Sequence, residues 1–281
     1  MNTRAAAPIG IFDSGVGGLS VLRHLRALLP AENFLYVADS GYAPYGERSP
    51  EFIRERSFYI ANFLIEQGIK ALVVACNTAT AAAVQALREH LSIPVVAMEP
   101  GIKPAVEITK SKVVGVLATT GTLESARFFS LVNRYAGDVE IVTQPCAGLV
   151  ERIEANDLNS ADTLDLLRSY LDPLLARGAD AIVLGCTHYP FLRMQIENVV
   201  REQIERKGGE ATAGAEVAII DTGPAVAKEL KRRLESDALL CTEARVGREE
   251  FWSSGDLRES QPIFAQLWGA SASVQALPEN V

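Results

Sequence analysis

Two cysteines end apolar runs in matching surroundings. Cys76 closes the run "ALVVAC" and is followed by "NT", and Cys186 closes "AIVLGC" and is followed by "TH". A lone buried cysteine usually packs as a small hydrophobe, so either residue alone would be read as a structural thiol. Two thiols in equivalent positions, each with polar side chains directly after it, favour chemistry over packing.

Proton transfer is the chemistry open to such a pair. Free cysteine titrates at about pH 8.5, and a helix N-terminus, which we expect after each thiol, stabilises the thiolate. A thiolate available near neutral pH is a competent general base. If both thiols reach one ligand from opposite sides, one removes a proton from a stereocentre and the other protonates the planar carbanion on its opposite face. The pair therefore suits racemisation.

The two thiols belong to an internal repeat. Aligning "EQGIKALVVACNT" with "ARGADAIVLGCTH" superposes the two cysteines and also Gly68 on Gly178. With one residue deleted, "IGIFDSGVGGL" matches "VGVLATTGTL", so that Gly10 falls on Gly115. These matches predict two related halves of ordinary domain size.

Both halves alternate short apolar runs with longer amphipathic ones, the pattern of parallel strands joined by crossover helices. We therefore predict an α/β fold of two pseudo-symmetric α/β domains, with mainly parallel sheets and an interdomain active-site cleft. The predicted first domain is 1–99 plus about 216–260, the second is 100–215, and 261–281 forms a C-terminal tail. Ligands of such sheets bind at the carboxyl ends of the strands.

Composition excludes several classes of protein. The formal net charge is −8, and no Lys/Arg cluster could follow a phosphate backbone, so we expect no nucleic-acid partner. The apolar runs are far shorter than the roughly 20 residues that cross a bilayer, and the start does not resemble a signal peptide, so we expect a cytoplasmic protein without a membrane partner. Four cysteines without short spacings predict free thiols and no metal site.

Polar side chains occur in other loops of the same kind. "FDSGVGG" and "ATTGTLES" each combine hydroxyls with a turn that can present backbone N–H groups to an anion, although each could also be a simple helix cap. "APYGERS" is equally compatible with a turn before a helix or with a binding role. The candidate residues in these three loops are Asp13, Ser14, Tyr45, Gly46, Thr119 and Thr122. Glu151, in "CAGLVERIE", would by itself be a solvated helix residue.

Taken in order, "IGIFDSGVGGLSVL", "APYGERS", "VVACNTAT", "ATTGTLES", "CAGLVERIE" and "LGCTHYP" resemble the glutamate racemases of the cofactor-independent aspartate/glutamate racemase superfamily. The match extends to about Leu234. The paired "CNTAT" and "GCTHYP" segments are typical of the superfamily, and "FDSGVGGLSVL" with "PYGERS" points to glutamate among its substrates. The resemblance implies an enzyme that needs neither pyridoxal phosphate nor metal and supplies D-glutamate for peptidoglycan synthesis.

The resemblance also implies roles for individual residues. Cys76 would take the α-proton of D-glutamate and Cys186 that of L-glutamate, assisted by Asp13 and His188 respectively, with Glu151 in support. The positions that would hold the substrate are Asp13, Ser14, Tyr45, Gly46, Asn77, Thr78, Thr119, Thr122, Thr187 and His188. We expect a homodimer with no cofactor.

Two departures from the family pattern bear on loop geometry. "ADSGYAPYG" replaces the Asp-Thr-Ala start that is common in its loop, and Ala147 stands where a proline often follows the cysteine. Two other functions stay open. One is a racemase of the same superfamily that acts on aspartate or a hydantoin. The other is a non-catalytic protein that traps a small anion and exchanges no α-hydrogen.

Overall fold

The computed structural model describes residues 3–206 and 217–279. They divide into two compact units, one from the described residues of 1–98 and 223–281 and the other from those of 99–222. In these ranges no helix combines the length and the apolar character that a membrane span requires.

The strands of the described residues, in chain order, are β1 (Ile9–Asp13), β2 (Phe34–Ala38), β3 (Ala71–Val74), β4 (Val95–Ala97), β5 (Val113–Ala118), β6 (Glu140–Pro145), β7 (Ala181–Leu184), β8 (Ala218–Ile220), β9 (Glu249–Ser253) and β10 (Val274–Ala276). The α-helices are α1 (Thr3–Ala6), α2 (Leu19–Leu28), α3 (Pro50–Glu66), α4 (Asn77–His90), α5 (Ile102–Ile108), α6 (Thr120–Leu123), α7 (Ala126–Tyr135), α8 (Leu149–Glu154), α9 (Ala161–Ala176), α10 (Arg193–Arg206), α11 (Gly223–Ser236) and α12 (Leu257–Leu267). Short 3₁₀ helices lie at Ser40–Tyr42, Tyr45–Glu47 and Tyr189–Leu192.

Each unit is built on one sheet. The first unit holds six strands in the order β10-β9-β2-β1-β3-β4, and the second holds four in the order β6-β5-β7-β8. Every strand pair in the described ranges is parallel. The predicted α/β class with parallel sheets is confirmed.

The internal repeat is visible in the strand order. β2-β1-β3-β4 of the first sheet corresponds to β6-β5-β7-β8 of the second, and Gly10 and Gly115 occupy equivalent points of β1 and β5. A Cβ atom at Gly10 would lie 3.2 Å from Cδ1 of Leu64 in α3, and one at Gly115 would lie 2.9 Å from Cδ1 of Leu174 in α9. Each glycine thus lets a crossover helix approach its sheet closely.

The second repeated pair of glycines ends those same helices. Gly68 follows α3 and Gly178 follows α9, with φ angles of +76° and +86° that side-chain-bearing residues rarely adopt. Both turns lead directly into the strand that ends before a cysteine, β3 or β7, and all residues of these two strands are buried. The sequence match therefore marks equivalent turns that deliver equivalent strands.

The core of the second unit lies on both faces of its sheet. Along β5, Leu117 faces a layer formed by α8, α9 and α10, whereas Val114 and Val116 face α5 and α7. This alternation is what a parallel sheet covered by helices on both sides requires. In the first unit Phe12 and Leu72 pack in the cluster that includes side chains of α3 and α4.

The unit boundaries differ in detail from the predicted domains. The strand that follows the glycine-rich stretch, β8, pairs with β7, so the chain leaves the second unit after Thr222 and not near residue 216. Residues 207–216 themselves lie outside the described residues. The segment 261–279 is not a tail, because α12 extends into it as far as Leu267 and β10 pairs with β9. Residues 280–281 lie outside the described residues.

Candidate active site

The first thiol caps a helix. Cys76 follows β3 and is the N-cap of α4, where its Sγ accepts a hydrogen bond from the Ala79 N–H at 3.4 Å. The same sulfur lies 3.6 Å from Oγ of Ser14, a residue of the neighbouring β1 loop. The Ala79 N–H at the helix N-terminus favours a negatively charged sulfur. The Ser14 hydroxyl instead donates to Oδ1 of Asp13 at 3.3 Å and accepts from the Cys76 S–H.

Asp13 shapes the loop that brings Ser14 to this sulfur. Its buried carboxylate accepts hydrogen bonds from the Ser14 N–H at Oδ1 and from the Gly18 N–H at Oδ2, both at 2.7 Å. Two charge-assisted hydrogen bonds to backbone fix the turn between them. Asp13 therefore positions Ser14, whose hydroxyl also donates to Oδ1 at 3.3 Å.

Asn77 and Thr78 form the first turn of the same helix and are buried. The amide oxygen and nitrogen of Asn77 have no hydrogen-bond partner among the described residues. Leaving such a group buried and unpaired costs about 1–3 kcal/mol. An unpartnered amide one residue from the thiol is a natural contact for a polar ligand.

Tyr45 and Gly46 lie in the 3₁₀ helix Tyr45–Glu47, which contacts α4. Tyr45 is fully buried, and its hydroxyl donates a hydrogen bond to the Asp39 carboxylate. Burial raises the pKa of Tyr45, and the negative charges of Asp39 and Cys76 raise it further. The side chain therefore stays a neutral hydrogen-bond donor beside the first thiol.

The second thiol has a different partner. Cys186 follows β7, and its Sγ lies 3.6 Å from Nδ1 of His188. We expected an α-helix N-terminus directly after it, but a 3₁₀ helix follows and α10 begins only at Arg193. Pro190 has no N–H to donate to the Cys186 carbonyl, so the Tyr189 N–H donates to that carbonyl instead, in a 3₁₀ bond of 3.2 Å.

His188 links this thiol to a carboxylate. The imidazole is buried, with Nε2 2.6 Å from Oε1 of Glu154. Burial lowers the pKa of His188, but its hydrogen bonds with Cys186 and Glu154, and the negative charge of both groups, outweigh burial and raise the pKa well above its usual range. An imidazolium at this point stabilises a Cys186 thiolate by charge and by hydrogen bonding.

The carboxylate that contacts His188 is that of Glu154, whereas the family resemblance implied a supporting role for Glu151. Glu151 is exposed on α8, and Glu154 lies one turn further along the same helix, against His188. Both residues belong to "CAGLVERIE", and the structure turns the Glu154 side of the helix toward His188. Sequence periodicity could not separate two glutamates three residues apart, because the buried face of so short a helix is poorly defined.

Thr119 and Thr122 follow β5, the strand beside β7. The Thr119 Oγ1 caps α6 by accepting from the Thr122 N–H at 3.3 Å. Gly185, just before the thiol, lies close to the end of β5, since a Cβ atom there would be only 2.9 Å from Cβ of Ala118. The hydroxyls and the Cys186 thiol therefore follow adjacent strand ends, with Thr187 buried between the thiol and His188.

The candidate residues fall into one set per unit. At the sheet edge of the first unit are Asp13, Ser14, Tyr45, Gly46, Cys76, Asn77 and Thr78, and at that of the second are Thr119, Thr122, Cys186, Thr187 and His188. Sequence reasoning also did not single out Glu154, Asp39, which contacts Tyr45, or Arg56, which contacts Asp39. Asp39 could have been noticed as a polar residue that directly follows a buried strand, whereas Arg56 looks like any charged residue of a solvated helix.

Replacing Glu154 by glutamine should lower the pKa of His188, because the variant keeps the hydrogen-bonding shape but removes one of the two negative charges that hold the proton. NMR titration of the ring measures this directly, and the chain has only three histidines to assign. Glu151→Gln is the matched control and should leave the His188 titration unchanged. Equal shifts in both variants would contradict the assignment to Glu154.

Comparison with known proteins identifies the family of this chain. Residues 9–230 match the model of the Asp/Glu/hydantoin racemase family. The chain belongs to this family. A glutamate racemase of Pseudomonas entomophila is 54% identical over 280 residues, which cover 99% of this chain and 100% of the relative.

Solved racemase structures agree with the fold. The glutamate racemase isoform RacE1 of Bacillus anthracis is 32% identical, with a TM-score of 0.85 and 98% of each chain covered. A glutamate racemase of Escherichia coli, solved with L-glutamate and the activator UDP-MurNAc-Ala, is 32% identical with a TM-score of 0.80, covering 96% of this chain and 98% of its own. Racemase family membership therefore holds for the chain nearly from end to end.

Proposed function

We propose that this racemase is an isomerase that interconverts L-glutamate and D-glutamate by two-thiol proton transfer at the α-carbon. The observation that carries the proposal is the repeat, in which the corresponding strand of each sheet ends before a cysteine. The Cys76 sulfur accepts from a helix N–H group and the Cys186 sulfur lies beside the His188 ring, and both surroundings suit a thiolate. Glutamate is favoured as the substrate because the relatives that match over the whole chain are glutamate racemases.

The proposed step conserves atoms and charge. With L-glutamate bound, the Cys186 thiolate takes the α-proton and becomes a thiol, and the C–H electron pair remains as a planar carbanion. The Cys76 thiol then protonates the opposite face, which gives D-glutamate and leaves a Cys76 thiolate. The reverse reaction exchanges these roles, so the enzyme needs one thiolate and one thiol at the start of each turnover.

Individual side chains support this step. The unpartnered Asn77 amide and the hydroxyls of Ser14 and Thr119 are suited to hold the polar groups of an amino acid, and backbone N–H groups at the starts of α4 and α6 favour a carboxylate. His188, between Cys186 and Glu154, would keep the second sulfur charged. By the family resemblance we further propose a cytoplasmic homodimer that supplies peptidoglycan synthesis, and analytical ultracentrifugation tests the dimer.

Solvent exchange tests the reaction. Metal-free and pyridoxal-free protein, incubated with L-glutamate in D₂O, should incorporate deuterium at the α-carbon while the optical rotation decays to zero. A small-anion-binding protein would bind glutamate without any exchange, and that result would overturn the proposal. Aspartate and a hydantoin, assayed in parallel, should exchange far more slowly, and faster exchange with either would reassign the substrate.

A further inference from the structure

An ion pair between a buried carboxylate and a partly buried arginine lies where the strands of the first sheet end. Asp39 directly follows β2 and is fully buried, and its carboxylate receives a two-pronged contact from Arg56 of α3. The Arg56 Nε lies 2.9 Å from Oδ2 and Nη2 lies 2.6 Å from Oδ1. Because β2 pairs with β1 and β1 with β3, this pair lies at the sheet edge that also carries Asp13 and Cys76.

The pair is connected to the first thiol through Tyr45. The Tyr45 hydroxyl donates to Oδ2 of Asp39, the same oxygen that receives Arg56 Nε. The Tyr45 ring packs in one core cluster with Cys76 and Ala79, so the ring lies against the start of the helix that the thiol caps. Asp39 thus joins Arg56 to Tyr45, and Tyr45 shares its core cluster with Cys76.

Arg56 is held more firmly than a surface arginine. Its guanidinium lies over the Tyr42 ring at 3.8 Å and over the Tyr59 ring at 4.6 Å. The side chain is only 15% exposed. A buried ion pair is weak evidence for a stabilising role, because desolvation of the two charges offsets much of their attraction. A two-pronged pair with a buried carboxylate at the edge of a site is better explained by what it positions.

We propose that Asp39 and Arg56 are positioning residues for the thiol chemistry of the proposed function. Their ion pair holds the Tyr45 hydroxyl, and with it the Tyr45–Glu47 turn, against the helix that Cys76 caps. The positive charge of Arg56 also balances the negative charge of the buried Asp39 carboxylate. The inference rests on the proposed function only for the kinetic part of its test.

Changing the charge without changing the shape separates this role from a purely structural one. Asp39→Asn keeps an acceptor for Tyr45 but leaves the Arg56 cation uncompensated, since a guanidinium does not lose its proton. A nearby cation favours a thiolate, so iodoacetamide should alkylate Cys76 about 3- to 10-fold faster at pH 7. The pH midpoint of alkylation, read for each cysteine by peptide mass spectrometry, should move to lower pH for Cys76 and stay in place for Cys186.

The double variant Asp39→Asn/Arg56→Met is the matched control. It removes both charges, so the Cys76 midpoint should return to the wild-type position although the two-pronged contact is lost. Asp13, Tyr42, Tyr59 and Glu279, which are other titratable groups around the cluster, are unchanged in both variants. The pH midpoint of Cys76 alkylation reports the charge around the thiol, whereas the alkylation rate at the high-pH plateau reports access to it. A loosened Tyr45–Glu47 turn would change the plateau rate and not the midpoint.

Positioning is tested separately by kinetics. Tyr45→Phe removes only the hydroxyl, and Arg56→Lys keeps the charge but not the two-pronged geometry. Both should raise KM for glutamate several-fold while leaving the Cys76 midpoint unchanged. The inference is overturned if Asp39→Asn fails to lower that midpoint, if Cys186 shifts equally, or if Tyr45→Phe has wild-type kinetics. A wild-type protein that does not racemise glutamate would defeat the proposed function, while the alkylation test would still decide the charge coupling.

Discussion

Serine in place of either Cys76 or Cys186 should reduce racemisation of glutamate by about 10³-fold or more, because a hydroxyl is a far poorer base near neutral pH than a thiolate and a positioned acid/base group contributes about 10²–10⁴-fold. Each substitution removes one of the two groups that must act in every turnover. Loss of optical rotation from L-glutamate and from D-glutamate measures the effect.

Each unit contains its own control thiol. Cys241 lies in the first unit with Cys76, and Cys146 lies in the second with Cys186; both are buried and free. Burial raises the pKa of Cys146 to about 12, so it is not a base near neutral pH. Cys241→Ser and Cys146→Ala should keep most of the activity. Near-normal turnover in Cys76→Ser or Cys186→Ser would remove the two-thiol assignment.

Each serine variant should still remove the α-proton from the enantiomer that faces its remaining cysteine. A glutamate analogue with a leaving group at the β-carbon needs only one base, because the electron pair left by the α-proton expels the leaving group. Cys76→Ser should therefore still eliminate from the L-analogue, where Cys186 is the proposed base, and Cys186→Ser should still eliminate from the D-analogue. Equal losses with both enantiomers in both variants would contradict the assignment of faces.

The sequence predicts the positions of the thiols well because they depend on local signals. Apolar strand runs, the glycines at 68 and 178 and the match between the halves all act over a few residues, and the structure has equivalent strands and turns at these points. Pro190 is also a local signal, because proline has no backbone N–H group to donate. It replaces the expected helix start after Cys186 with a 3₁₀ turn and so leaves His188 as the main partner of that thiol.

Contacts between residues far apart in the sequence could not be predicted from such local patterns. Glu154 reaches His188 across 34 residues of sequence, and Arg56 reaches Asp39 from a helix whose charges look solvated. The final strand, β10, is three residues long and is stabilised by pairing with β9, so its sequence alone resembled a tail. In each case the decisive partner is fixed by packing and not by the local pattern.

The two thiols should also differ in how they respond to loss of their assistants, because their surroundings differ. His188→Asn removes the imidazolium beside Cys186 and should slow racemisation by about 10²–10⁴-fold. Mirror-image substrates have an equilibrium constant of one, so kcat/KM must stay equal for the two enantiomers. The asymmetry can appear only in kcat and KM separately or in primary isotope effects.

For His188→Asn we expect a larger α-deuterium isotope effect with L-glutamate, where Cys186 is the proposed base and proton removal becomes slower. Asp13→Asn should show the reverse, a larger effect with D-glutamate, where Cys76 is the base. Asp13→Asn can also disturb the loop, because an amide has only one oxygen to accept from the Ser14 and Gly18 N–H groups. Its thermal unfolding must therefore be measured beside its kinetics. Symmetric isotope effects with both substrates in both variants would mean that the two residues serve binding or the turn geometry, and not their individual thiols.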